Sequence, residues 1–169
     1  MKELPVRKNI RLKGHDYSKA GRYFITICVT DRHAMLGKVV GDGVLDVPHV
    51  RLSEYGDITE KHIIAIDAHY DHINIQKYII MPNHIHMLIS VNDVTGQTSG
   101  TSRTPPPTNA VIPTLISTLK RFVNKDCGFE LFQRSYHDHI IRDEAEYQRI
   151  WQYIDENPQR WADDCYYTV

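Results

Sequence analysis

The alternation of apolar and polar positions divides the chain into short, well-marked elements. Residues 22–30 (Arg-Tyr-Phe-Ile-Thr-Ile-Cys-Val-Thr) are dense in β-branched and aromatic side chains and predict a first strand. Asp31-Arg32-His33 follows as a turn, and residues 37–50, with a Gly-Asp-Gly and a proline, are expected to form a short hairpin or loop. Ser53 is placed to cap a helix running to about residue 69, with Ile58, His62, Ile63 and Ile66 along one side. Residues 73–80 and 84–91 read as two further strands. The tight-turn tripeptide Met81-Pro82-Asn83 between them makes the pair a hairpin. A second helix is expected over 111–125, where Ile112, Leu115, Ile116, Leu119, Phe122 and Val123 share one face and Pro113 sits in the first turn. A fourth strand is expected within 129–141 and a last helix from Asp143 to about Asn157, which Pro158 helps to end.

Strand, helix, strand, strand, helix, strand is the order of an α+β, ferredoxin-like (split βαβ) antiparallel sheet, and the last helix is an addition to it. A chain of 169 residues fits one such domain. Residues 92–110, rich in Gly, Ser, Thr and Pro, are expected to be a mobile loop, since they hold too few apolar side chains to bury.

Composition adds little to this picture except at the N-terminus. The formal net charge is −1, so no global basic signature marks a nucleic-acid partner. The arm at 1–21 is nevertheless basic: Lys2, Arg7, Lys8, Arg11, Lys13 and Lys19 face only Glu3 and Asp16. Cys28, Cys127 and Cys165 form no paired motif, which fits a reducing, cytoplasmic location. No signal peptide and no apolar run of membrane-spanning length is present in the sequence, so a soluble protein is expected.

Candidate chemistry begins with His84-Ile85-His86. On a strand, residues two apart share a face, so both imidazoles project side by side while Ile85, Met87 and Ile89 turn to the core. Two adjacent imidazoles begin a divalent-metal site without choosing the metal. Leu88 stands where a histidine-triad hydrolase needs a third histidine. A second pair, His137 and His139, reads better as structural or phosphate-contacting than as metal-binding. On the last helix, Tyr147, Ile150, Trp151 and Ile154 form the apolar stripe. Tyr153 falls about 120° from its centre at 100° per residue, and Asn157 lies one turn beyond Tyr153 on nearly the same face.

Met81-Pro82-Asn83-His84-Ile85-His86-Met87-Leu88-Ile89 resembles the HUH segment of single-tyrosine transposases, where U is any hydrophobic residue. Residues 131–144 resemble the segment before their catalytic helix. Tyr153-Ile154-Asp155-Glu156-Asn157-Pro158, followed by Trp161, is similar to their tyrosine motif. Over residues 20–161 the order and spacing resemble those of the REP-associated tyrosine transposases. The resemblance implies that His84 and His86 bind Mg²⁺ or Mn²⁺, that Asn157 is a third ligand and that Tyr153 is the nucleophile. It also implies cleavage and rejoining of single-stranded DNA, beside an imperfect hairpin, through a 5′-phosphotyrosine link. Lys120, Arg121, Lys125, Arg22 and Arg142 are candidate DNA contacts, and a homodimer is open. The 92–110 loop and the long 37–50 stretch depart from the family pattern.

Three other readings compete, one of them a metal hydrolase using His84 and His86 without covalent catalysis. A noncatalytic nucleic-acid-binding module on the same fold needs exposed aromatics on its central strands, for which Tyr23, Phe24 and Tyr78 are available. A related HUH replication initiator or relaxase is disfavoured by chain length and the single suitable tyrosine.

Overall fold

A computed structural model describes residues 20–41, 46–92 and 111–167. The basic arm over 1–19 and the segment 93–110 lie outside the described residues. Four strands, β1 (Gly21–Cys28), β4 (Ile73–Ile80), β5 (His84–Val91) and β6 (His137–Ile141), form one sheet in the order β4-β5-β1-β6. All three pairings are antiparallel. Helix α1 (Glu54–His69) connects β1 to β4, and α2 (Val111–Cys127) connects β5 to β6. Each crossover leaves room for one strand between the two it joins, which is the split βαβ arrangement read from the sequence. A separate two-stranded hairpin, β2 (Gly37–Val40) with β3 (His49–Leu52), fills the stretch expected as hairpin or loop.

The sheet is buried on both faces. Tyr23, Ile25 and Ile27 of β1 and Ile85, Met87 and Ile89 of β5 point to one side, where they pack with Ile63 and Ile66 of α1 and with Ile112, Leu115, Ile116, Leu119 and Val123 of α2. Each such side chain contributes about 1.5–3 kcal/mol on full burial. Gly56 lets α1 approach the preceding loop, because a Cβ there would lie 2.1 Å from the Leu36 carbonyl oxygen. The reverse face carries a smaller cluster of Leu88, Ile141 and Ile154, with Phe24, Tyr147, Ile150, Trp151 and Tyr153 packed around it. It is covered by α3 (Glu144–Glu156), which lies against β4, β5 and β6.

The ends of the helices follow from local chemistry. Ser53 Oγ accepts from Gly56 N at 3.2 Å, and Asp143 Oδ1 accepts from Glu146 N at 2.7 Å, each satisfying a free first-turn amide. Gly128, at φ +81°, closes α2 by donating its N–H to Asn124 O at 2.9 Å. After α3 the chain turns at 157–160, passes through the 3₁₀ turn Trp161–Asp163 and runs back across the sheet. Among the described residues, no helix is long and apolar enough to cross a membrane.

The aromatic platform required of a noncatalytic module is covered. Tyr23 is buried under the helices, Phe24 lies beneath α3, and Tyr78 donates its hydroxyl to Glu60 of α1 at 3.0 Å.

Candidate active site

The site grows from the turn that opens β5. Asn83 is buried, and its Nδ2 donates to Arg32 O at 3.1 Å and to Tyr166 O at 2.7 Å. With the amide orientation set, Asn83 Oδ1 faces His84 Nδ1 at 2.8 Å and can only accept. His84 therefore carries its proton on Nδ1, and its Nε2 presents a bare lone pair. His86 Nδ1 meets Thr26 Oγ1 at 2.9 Å, across the pairing of β1 with β5. The two Nε2 atoms face each other at 3.0 Å.

Both imidazoles are buried, whereas a half-exposed strand face was all the sequence required. Phe24 stacks beneath His86, with ring centroids 5.0 Å apart. Tyr166 and Trp161 of the C-terminal segment cover His84 at 4.6 Å and 6.0 Å. Burial pulls the His84 pKa down to about 4; the Asp164 carboxylate opposes this and Arg32 reinforces it. Burial, then the charge of His84, holds His86 well below the usual histidine value. Both rings are thus neutral at neutral pH, the state a metal needs.

Tyr153 Oη lies 3.3 Å from His86 Nε2, and its ring stands edge-on to Phe24. Its pKa is pushed up to about 12, first by burial and next by the Asp164 charge, against a hydrogen bond from Asn157. Asn157, only 1% exposed, donates its Nδ2 to Asp164 Oδ2 at 3.2 Å. Asn157 Oδ1 is buried and accepts no hydrogen bond. The ligand atoms of His84, His86 and Asp164 all lie within 4.8 Å of one another.

This donor set fits a divalent cation on two counts. Two nitrogens 3.0 Å apart match two neighbouring ligands at right angles around one ion, each about 2.1 Å from it. An orphaned buried amide oxygen is costly unless something else satisfies it. Two imidazoles with oxygen donors suit a divalent cation without choosing which one.

The sequence-predicted residues divide into two groups. Tyr153, His84, His86 and Asn157 come together. Lys120, Arg121 and Lys125 lie on α2, on the other side of the sheet. The Lys120 ammonium is directed at the carbonyls of Gln133, Arg134 and Ser135 at 2.7, 3.4 and 2.8 Å, and burial lowers its pKa to about 8. It therefore anchors the loop before β6, a role the sequence did not suggest. Arg121 and Lys125 are exposed. Arg22 pairs with Glu144 at 2.7 Å and lies over the Tyr147 ring, and Arg142 is exposed beside α3. His139 pairs with Glu146 at 2.7 Å, in line with a structural reading of the second histidine pair.

Asp164 and Tyr166 were missed. Their segment has no periodicity to read, and only Trp161, at its start, belongs to a motif of the sequence.

No protein-family model matches the chain. The fold is that of a REP-associated tyrosine transposase solved bound to a REP hairpin. The two superpose with a TM-score of 0.58 at 18% identity, covering 95% of this chain and 74% of the other. In sequence, the chain is 30% identical over 177 residues to an uncharacterised protein of Haemophilus influenzae, covering 96% of this chain and 93% of its relative. It belongs to the family of that protein.

Proposed function

We propose that the protein is a metal-dependent, single-tyrosine DNA transposase of the HUH type, which cleaves and rejoins single-stranded DNA through a 5′-phosphotyrosine intermediate. The observation that carries this reading is the 3.3 Å approach of Tyr153 Oη to an imidazole pair whose Nε2 atoms converge at 3.0 Å. A nucleophile from one element and a neutral ligand pair from another meet in one buried place. The motif resemblance and the fold shared with a transposase support it.

His84 and His86, with Asn157 Oδ1 and the Asp164 carboxylate, would hold Mg²⁺ or Mn²⁺. The cation supplies positive charge at the phosphate undergoing attack. Tyr153 Oη forms a bond to phosphorus, the bond from phosphorus to the 3′ oxygen breaks, and the departing strand leaves as a free 3′-OH. The phenolic proton passes to solvent as the bond forms and the departing 3′ oxygen takes one proton from solvent, so the exchange is balanced. Because the link remains a phosphodiester, a second 3′-OH can displace Tyr153 in the reverse sense without another energy source. Asn157, hydrogen-bonded to Tyr153, keeps the phenol turned to the pair. Phe24 and the C-terminal aromatics exclude water from it.

In-line attack needs a splayed backbone, so single strands suit this site better than stacked duplex. The fold neighbour was solved on a hairpin, which supports a hairpin-flanked substrate here. Arg22, Arg121, Lys125 and Arg142 are proposed backbone contacts. Free Cys28, Cys127 and Cys165 suit a cytoplasmic enzyme.

The test is incubation with labelled hairpin-bearing single-stranded DNA and Mn²⁺ or Mg²⁺. A denaturation-resistant protein–DNA adduct with a matching free 3′-OH product is expected, absent in Tyr153→Phe. Cleavage that persists in Tyr153→Phe would assign a metal hydrolase instead. Binding without cleavage under either metal would assign a binding module.

A further inference from the structure

The long stretch that departs from the pattern of the resembling transposases folds as the β2–β3 ribbon. That ribbon is tied to the turn that opens β5. Leu36, buried and just before β2, donates its N–H to Pro82 O at 2.9 Å, two residues ahead of His84. The Leu36 carbonyl accepts from Ser53 N at 2.9 Å, and Ser53 Oγ donates to Met35 O at 2.5 Å. Both strands therefore leave the fold from one fixed base, held on the segment that carries the imidazole pair. Four residues per strand make an arm roughly 13 Å long at about 3.3 Å per residue.

The two faces of the ribbon differ. Leu52 packs on the core, and Val39 and Val50, paired across the strands, share its side. The other side carries Lys38 directly opposite Arg51, with His49 two residues along from Arg51, and all three are exposed. Like charges directly opposite each other destabilise a strand pair. Among the described residues, Arg22, Lys61, Lys77 and Arg160 each pair with a carboxylate, but Lys38 and Arg51 pair with none. The ribbon thus holds two uncompensated cations, with Cβ atoms about 5 Å apart, on a stiff arm.

Such a pair suits a polyanion whose charges are also held in place. Duplex DNA carries one charge per roughly 1.7 Å of its axis, and its major groove, about 12 Å wide, admits a two-stranded ribbon. An unpaired strand offers no fixed array. We propose that the outer face of the β2–β3 ribbon docks duplex DNA, the paired stem beside the cleaved strand, with Lys38 and Arg51 each on a phosphate. This rests on the DNA-cleaving function proposed above: the ribbon holds the stem while the strand leaving it enters the site at His84 and His86.

The parent protein, Lys38→Gln/Arg51→Gln and Lys38→Glu/Arg51→Glu are compared by equilibrium binding across salt concentration. All carry Tyr153→Phe, so that binding is read without cleavage. Two oligonucleotides of equal length serve as probes, one with a stem and one unable to pair. For the stemmed DNA, the glutamine pair is expected to flatten the dependence of log Kd on log salt by about 1.8, two contacts at about 0.9 each. Its affinity at low salt falls by roughly 10-fold or more, and the glutamate pair loses more. Affinity for the unpaired strand changes by less than about two-fold, because single-strand contacts lie elsewhere. The melting temperature of the glutamine pair stays at or above that of the parent, since a repulsive pair has been removed. Equal losses on both oligonucleotides, or no loss on either, overturn the proposal. The adduct assay on the protein with Tyr153 intact decides cleavage separately. A protein that forms no adduct but loses stem affinity in the glutamine pair keeps the docking surface and loses the transposase reading. A parent that binds neither oligonucleotide removes both.

Discussion

Asn83 Oδ1 accepts from His84 Nδ1 at 2.8 Å, and that one bond decides which nitrogen of His84 is free to bind a cation. Groups that orient a metal-ligating imidazole typically matter 10–100-fold for affinity. Asn83→Ala is therefore expected to weaken Mn²⁺ binding by about that factor, while Asn83→Asp, which keeps the acceptor, retains most of it. Calorimetric titration with Mn²⁺ measures both. Equal affinity in Asn83→Ala and wild type would show that His84 is not oriented this way.

Stability in the absence of metal should depend on pH through the same pair. The unfolded histidine titrates near 6.5, whereas His84 in the fold titrates near 4 and His86 is also well below 6.5. Between those values the unfolded chain binds more protons than the native one, so stability falls as pH drops. Their contribution is complete above pH 6.5 and is lost progressively toward pH 4. Denaturant unfolding at pH 7 and pH 5 should show the loss, and His84→Gln/His86→Gln should show a smaller one. An identical pH slope in the double variant would contradict the depressed values.

The halves of the site differ in how far the sequence disclosed them. Residues 73–80 and 84–91 have the bounds expected of them, because their β-rich runs are cut by Met81-Pro82-Asn83. The two-residue spacing then obliges His84 and His86 to share a face. Tyr153 was placed off the apolar stripe of its helix, yet it is half-buried: α3 lies on a sheet face that carries Phe24 and Leu88 as well as the imidazoles, so the covered arc is wider than the stripe. Asp164 was not legible. It is one of two adjacent aspartates in an aperiodic stretch, and only the reversal at 157–160 brings it to His84.

Lys120 shows the same limit from another side. Helical spacing puts it among polar residues, but the carbonyls it meets come from a loop whose path no local pattern fixes. Lys120→Met is expected to destabilise the fold by about 1–3 kcal/mol, as carbonyls lose a charged donor, with little change in the salt dependence of DNA binding. Arg121→Ala and Lys125→Ala should do the reverse. A Lys120→Met protein as stable as wild type would remove the anchoring role.

Asp164 lies close enough to both imidazoles to share one ion, and it also accepts from Tyr166 N at 2.7 Å. Asp164→Asn keeps an acceptor for that amide and removes the charge. Mn²⁺ affinity should fall about 10-fold or more, with the melting temperature nearly unchanged. Unchanged affinity would leave Asp164 as a prop for the C-terminal turn.

The central claim concerns which phenol attacks. Among the described residues, two tyrosines approach the imidazoles: Tyr153 with its hydroxyl at 3.3 Å from His86, and Tyr166 with its ring on His84. The decisive measurement is peptide mapping, by mass spectrometry, of the covalent adduct formed with single-stranded DNA and Mn²⁺. A deoxynucleotidyl 5′-phosphate on the peptide containing Tyr153 is the expected result. The same mass on the peptide containing Tyr166, or cleavage products with no modified peptide, would contradict it.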